Sequence, residues 1–223
     1  SKTNHQSSTE LILNQSELAR FSIIDGNTVL QCQPGVYTQQ EDGWGLRLNV
    51  GIRGTGVERS SRITLMEDGV LTAPAAYSAP AAYYSPVLWK YHQIEILKGG
   101  AALITGPQST GGAINFVTAI PKEKDYHTLS LNSGAFGQLT ANSIGQFTLS
   151  ERSQLIYGIQ KNGARGFNRI NNNSYGGFKL NDGYFKWIHQ LDANDRHQLE
   201  LFIAGTAEES NQTYLGLSAQ DAA

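Results

Sequence analysis

The chain has 223 residues, of which only 16% are charged, and its 17 Lys and Arg against 19 Asp and Glu give a formal charge of −2 at pH 7. That balance excludes a general nucleic-acid binder, whose footprint is a basic excess, and the single Cys32 excludes an internal disulfide and a thiolate zinc site. No apolar run approaches the roughly 20 residues of a membrane helix, so a membrane protein with this sequence has to be a β-barrel.

Twenty-four glycines against six prolines and one methionine point to turns and strands rather than helix bundles. Residues 1–9 are polar and aperiodic and read as a disordered lead-in. No basic, apolar and small-residue leader opens the chain, so an export signal is expected upstream or already removed. Glu10–Arg20 reads as a short strand followed by one or two helical turns. From Thr28 a brief apolar stretch runs into Gln33-Pro34-Gly35-Val36, a turn signal. Asn49–Gly54 and Arg62–Met66 read as short strands, the second closed by Asp68-Gly69. Val70–Pro86 is too broken by proline for a helix and too apolar for an idle linker. Ile94–Leu97 is another short strand, followed by a glycine-rich run from Lys98 to Gly112 and a strand over Ala113–Thr118. These pieces make a small mixed α/β domain over residues 10–121.

After the charged hinge Pro121–Asp125 the texture changes. Leu139, Ala141, Phe147 and Leu149 share one parity and Thr140, Asn142, Gln146 and Thr148 the other. Leu155, Tyr157 and Ile159, then Phe185, Trp187 and Leu191, then Leu199, Leu201 and Ile203 alternate with polar neighbours in the same way. Segments of about 10 residues with one apolar and one polar face suit a wall with lipid outside and water inside. A soluble sandwich gives the same alternation. The connectors Ser150–Ser153 and Asp192–Arg196 are short while Ala164–Gly177 and the run after Glu208 are long, and that asymmetry favours the barrel.

Gly106–Gly111 has the glycine spacing of a phosphate loop, but Gly112 and Ala113 stand where Lys and Ser or Thr are needed. Gly51, Gly54 and Gly56 do not match a dinucleotide fingerprint. The five histidines lack metal-ligand spacing, no paired carboxylates stand out, and the chain is not expected to be an enzyme.

What does stand out is an ordered series: Ile52-Arg53-Gly54, Leu65–Gly69, Ile94–Gly100 and Gly106–Thr118. In this order and spacing they closely resemble the plug domain of TonB-dependent outer-membrane receptors. Within that family the nearest likeness is to ferric-citrate receptors, on Gly51–Gly54 with Ser60-Ser61-Arg62, on Gly99-Gly100-Ala101 with Gly106–Ser109, and on Asn115–Thr118. The likeness covers about residues 28 to 120 well and the remainder loosely.

The resemblance implies an α+β plug with a short mixed sheet and small helices, folded inside an antiparallel transmembrane β-barrel of about 22 strands. Only about five strands are found in 126–223. Open sheet edges in lipid cost several kcal/mol per unpaired backbone group, so a fragment of a longer receptor is expected. The family's TonB-contacting segment, which precedes the plug, is not recognisable in Ser1–Glu10. By family position the loop carrying Trp44 and the loop Thr72–Tyr84 face an incoming ligand, with Tyr77, Tyr83 and Tyr84 as an aromatic platform. Ferric-citrate receptors have polar side chains at the positions of Trp44 and Ala79. Arg165 and Arg169, in a loop without acids, are expected to steer or clamp an anionic chelate. Arg53, Arg62, Glu95 and Lys98 are expected to pair with one another or with the barrel wall. The function so implied is import of a ferric chelate across the Gram-negative outer membrane, driven by TonB and its inner-membrane complex. No cofactor is needed, no metal is held by the protein directly, and the chelate is the cargo. Receptors for cobalamin, a nickel chelate or a sugar, and a soluble β-rich binding module, are the alternatives.

Overall fold

The computed structural model describes residues 10–19, 25–72, 84–105, 110–167, 169–170, 174–192 and 196–211, so the lead-in expected at 1–9 lies outside the described residues. The chain splits into two compact units, residues 1–120 and 121–223.

The first unit opens with strand β1 (Glu10–Asn14) and helix α1 (Gln15–Ala19). Asn14 makes the change of direction. Its side-chain oxygen accepts the N–H groups of Ser16 at 3.0 Å and Glu17 at 3.1 Å, and the Glu17 carboxylate accepts the Asn14 N–H at 2.9 Å. This is a reciprocal cap of the Asn-x-x-Glu kind. The apolar stretch from Thr28 is helical: α2 (Gly26–Gln31) starts on Asp25, whose carboxylate accepts the Asn27 N–H at 2.8 Å and the Thr28 hydroxyl at 2.7 Å. An antiparallel ribbon follows, β2 (Val36–Thr38) with β3 (Val50–Ile52). The expected strand Asn49–Gly54 stops at Ile52 because Arg53 and Gly54 take φ of 55° and 82°.

Next come β4 (Ile63–Glu67), β5 (Val70–Leu71), β6 (Tyr91–Lys98) and β7 (Gly112–Thr118), with a 3-10 segment Gly99–Thr105 before the last. They form a mixed sheet in the order β1-β6-β7-β4-β5, in which only β4 and β7 run parallel. The Asp68-Gly69 turn between β4 and β5 is fastened to β7: the Asp68 carboxylate accepts the Thr118 N–H at 2.9 Å and its hydroxyl at 2.6 Å. Ile94 and Ile96 pair with Phe116 and Ile114, and Leu65 continues the row from β4. That face closes over Leu13, Leu18, Leu30 and Val50 as one core. Its isoleucines are fully buried, so truncating one to alanine costs about 2–5 kcal/mol. The opposite face carries a smaller cluster of Met66, Ala102 and Ala113, with Leu97 packed against it.

The second unit consists of β8 (Tyr126–Ser133), β9 (Leu139–Ser150), β10 (Ser153–Ala164), the short β11 (Arg169–Ile170) and β12 (Ser174–Tyr175), β13 (Phe178–Gln190) and β14 (Gln198–Ser210). The five long strands form an open antiparallel meander, β14-β13-β10-β9-β8. The sequence parity is the sheet's facing: Leu129 (72% exposed), Ile159 (62%) and Leu201 (51%) stand on the apolar face. Gln146, Gln160, Asn162 and Asp182 stand on the other face and are buried. Towards the Glu151-Arg152 turn the apolar face becomes aromatic. His127 and Phe147 meet in a tilted contact at 4.6 Å, Trp187 and His189 stack at 5.6 Å, and Trp187 Nε1 donates to Ser153 Oγ at 2.8 Å. Amphipathic rings gathered at one end of an apolar band suit a lipid–water boundary.

Candidate ligand-binding site

Trp44 rides on a loop built around two buried amides. Asn27, fully buried, donates from Nδ2 to the Arg47 carbonyl at 2.8 Å and accepts the Asn49 N–H at 3.3 Å. Asn49 in turn donates to Glu41 at 3.0 Å and accepts the Arg59 N–H at 2.8 Å. Asp42 Oδ1 takes the N–H groups of Trp44 and Gly45, both at 2.7 Å. Gly45 has φ of 73°, and a Cβ there would sit 2.1 Å from Asp25 Oδ1, so no larger residue fits. Trp44 is half-buried on this frame.

Tyr84 departs from its expected role. Its hydroxyl donates to Glu67 at 2.7 Å and accepts from Lys90 at 2.9 Å, so the polar end is committed inward rather than offered to a ligand. Burial pushes its phenol up to about 12, with Lys90 acting against the shift and Glu67 with it. Tyr77, Ala79 and Tyr83 lie outside the described residues.

Glu95 and Lys98 take neutral partners rather than each other. Gln93 and Asn115 donate their amides to the Glu95 carboxylate at 2.7 and 2.9 Å, and Lys98 Nζ donates to the Pro34 carbonyl at 2.6 Å. Burial, and secondly the Arg53 guanidinium, hold the Lys98 ammonium below its usual range. Gly99 (φ 64°) leaves room for Arg53, whose Nη1 would lie 2.2 Å from a Cβ at that position. Arg62 is exposed, just ahead of β4.

Arg165 and Arg169 are brought together. The short β11–β12 ladder pairs Arg169 with Tyr175. The Arg165 guanidinium lies 4.7 Å and that of Arg169 6.0 Å from the centre of the Tyr175 ring. A hydrogen bond from Arg169, together with the charge of both arginines, lowers the Tyr175 phenol. The base of the loop is stapled to the β8–β9 tip: the Arg165 N–H donates to the Phe136 carbonyl at 3.1 Å, and the Phe136 and Phe167 rings meet at 5.4 Å. Asn211, beyond β14, donates to the Tyr175 carbonyl at 3.2 Å. A cleft of about 340 Å³ opens between Arg165, Tyr175, Phe178 and Asn211. Tyr175 was not singled out in the sequence, although it shares a loop with both arginines. Among the described residues no group of three or more His, Cys, Asp or Glu is arranged to hold a metal ion.

The TonB-dependent Receptor Plug Domain family matches residues 2–113, half of the chain. The chain belongs to the TonB-dependent receptors. This TonB-dependent receptor chain is 24% identical over 163 residues to the vitamin B12 transporter BtuB of Vibrio cholerae, covering 71% of the chain and 26% of that transporter. Its fold matches the siderophore receptor PirA of Acinetobacter baumannii with a TM-score of 0.70 at 16% identity, over 91% of this chain and 32% of that one. The ferric yersiniabactin uptake receptor FyuA of Yersinia pestis matches with a TM-score of 0.71 at 17% identity, over 90% and 31%. The chain thus spans about a quarter to a third of these relatives, which are transporters and receptors rather than enzymes. At such identities the solved structures share a fold with it: a plug with a mixed sheet, followed by the strands of an unclosed barrel wall.

Proposed function

We propose that the chain is the plug and first wall strands of a Gram-negative outer-membrane receptor that binds a ferric chelate outside the cell and admits it to the periplasm, energised by TonB and its inner-membrane complex. No covalent chemistry is required of the receptor. The carrying observation is the convergence of Arg165 and Arg169 on Tyr175. Two permanent cations beside one aromatic ring suit a polyanionic, flat-sided ligand, because guanidinium matches carboxylate or phenolate oxygens bidentately. Iron chelates of the citrate and catecholate types have that chemistry.

The curated relatives named as vitamin B12 transporters support a second reading, a cobalamin receptor. Binding of ferric citrate, a ferric tris-catecholate and cyanocobalamin to the full-length receptor separates the two. A ferric chelate is expected to bind, and Arg165→Ala with Arg169→Ala to weaken it by roughly 10- to 100-fold, the loss of one charge-assisted hydrogen bond. Weakening confined to low salt means steering rather than contact. Cobalamin binding indifferent to both arginines would overturn the chelate reading.

A further inference from the structure

The apolar face of the wall is notched. Across β10, β13 and β14 one row reads Ile159, Gly183, Gly205, so the surface falls from a branched side chain to bare backbone. The row on the turn side reads Tyr157, Phe185, Ile203 and forms a step. The result is a groove of about 590 Å³ lined almost wholly by carbon, with Phe147 and Leu155 closing its lower end. The Tyr157 hydroxyl on its wall is already engaged by Ser143 Oγ at 3.2 Å. In hydrocarbon such a notch forfeits dispersion contacts unless methylenes enter it, and a flexible chain fits where a globular partner's side chains would need a matching ridge.

The rows on the loop side of the groove change character. Lys161 stands next after Ile159 on the same face of β10, and Lys179 is its diagonal neighbour on β13, at a separation of about 7–8 Å between Cα atoms. Both are exposed, and Glu209 is the one acid on that face among the described residues. Its pair with Lys179, at 3.4 Å, leaves both side chains about three-quarters exposed. An exposed pair of this sort is readily exchanged for a better anion.

From this juxtaposition of a carbon-lined groove and two rim lysines we infer that the wall seats a phosphorylated outer-leaflet glycolipid, lipid A, with an acyl chain in the Gly183–Gly205 groove and a phosphate between Lys161 and Lys179. The inference rests on the barrel reading, in which the loop ends of the strands face outward and meet the leaflet built of that glycolipid. It is independent of what the receptor carries.

The test uses detergent-purified full-length receptor, with barrel folding checked by heat-modifiable gel mobility. Bis-phosphorylated lipid A, its dephosphorylated form and phosphatidylglycerol are titrated in, and retained lipid is counted by native mass spectrometry. The parent protein is expected to retain lipid A at least tenfold better than either competitor. Lys161→Gln with Lys179→Gln should abolish that preference. Gly205→Leu should reduce retention about tenfold by filling the groove, and nothing lies within 4 Å of a Cβ at that position to disturb the fold. Chelate binding by the Gly205→Leu protein should be unchanged, which separates a failure of this inference from a failure of the transport reading. Equal retention of lipid A by parent and variants, or a preference for phosphatidylglycerol, would overturn the site. A loss confined to the lysine variant would overturn the acyl seat.

Discussion

The Lys90 ammonium lies 3.5 Å from the Glu67 carboxylate with none of the lysine side chain exposed, an ion pair inside the plug core. Tyr84 and Tyr91 both donate to Oε1 of the same carboxylate, so hydrogen bonds reinforce the ion pair at that oxygen. Removing one member of such a pair leaves the other buried and uncompensated. Lys90→Met should therefore destabilise the plug by about 3–5 kcal/mol, and adding Glu67→Gln should restore much of the loss. The urea midpoint for protease susceptibility of the plug in the full-length receptor measures both.

The same cluster sets an alkaline limit. Burial raises Tyr84 to about 12 and Tyr91 well above its ordinary value near 10. The folded plug therefore favours the neutral phenols, and their contribution to stability is whole below pH 10 and lost as pH climbs from there through about 12. The Tyr84 and Tyr91 phenols should ionise above pH 10 by tyrosinate absorbance, and Tyr84→Phe with Tyr91→Phe should remove that late component. Titration of every tyrosine near pH 10 would contradict this.

Asn27 organises the loop that carries Trp44. Asn27→Ala strands the Arg47 carbonyl and the Asn49 N–H, a cost of about 1–3 kcal/mol in a buried setting. Hydrogen exchange across residues 39–49 should accelerate in the full-length receptor while β6 and β7 stay protected.

The direction of the wall can be read with single cysteines. Because Cys32 is exposed, the test begins from Cys32→Ser. With the plug joined at the periplasmic end, Asn211→Cys should label with an impermeant reagent on whole cells and Glu151→Cys should not. The opposite pattern would invert the topology.

Much of the architecture is legible in the sequence because it is local. Parity at Leu139–Leu149 and Leu199–Ile203 reports the facing of the wall directly, and Asp68-Gly69 marks its turn without help from the rest of the chain. Helix α2 escaped because six residues with a β-branched pair carry too little periodicity. The fate of Tyr84 was illegible for a different reason. Whether a phenol points outward depends on Glu67, 17 residues earlier, and Lys90, six later. The meeting of Arg165 and Arg169 on Tyr175 is held by contacts distant in sequence, Phe136 with Phe167 and Asn211 with the Tyr175 carbonyl.

The position of β1 has a mechanical consequence. It forms the outer edge of its sheet and holds β6 through five residue pairs, Glu10 opposite Leu97 to Asn14 opposite Gln93, while β6, β7 and β4 are each flanked on both sides. Tension applied upstream of Glu10 loads those pairs one after another, so β1 peels away before the interior strands feel the pull. The sheet then yields in two stages, a soft one at β1 and a stiff one at the Ile94–Phe116 seam, and a brief tug is absorbed by the first alone.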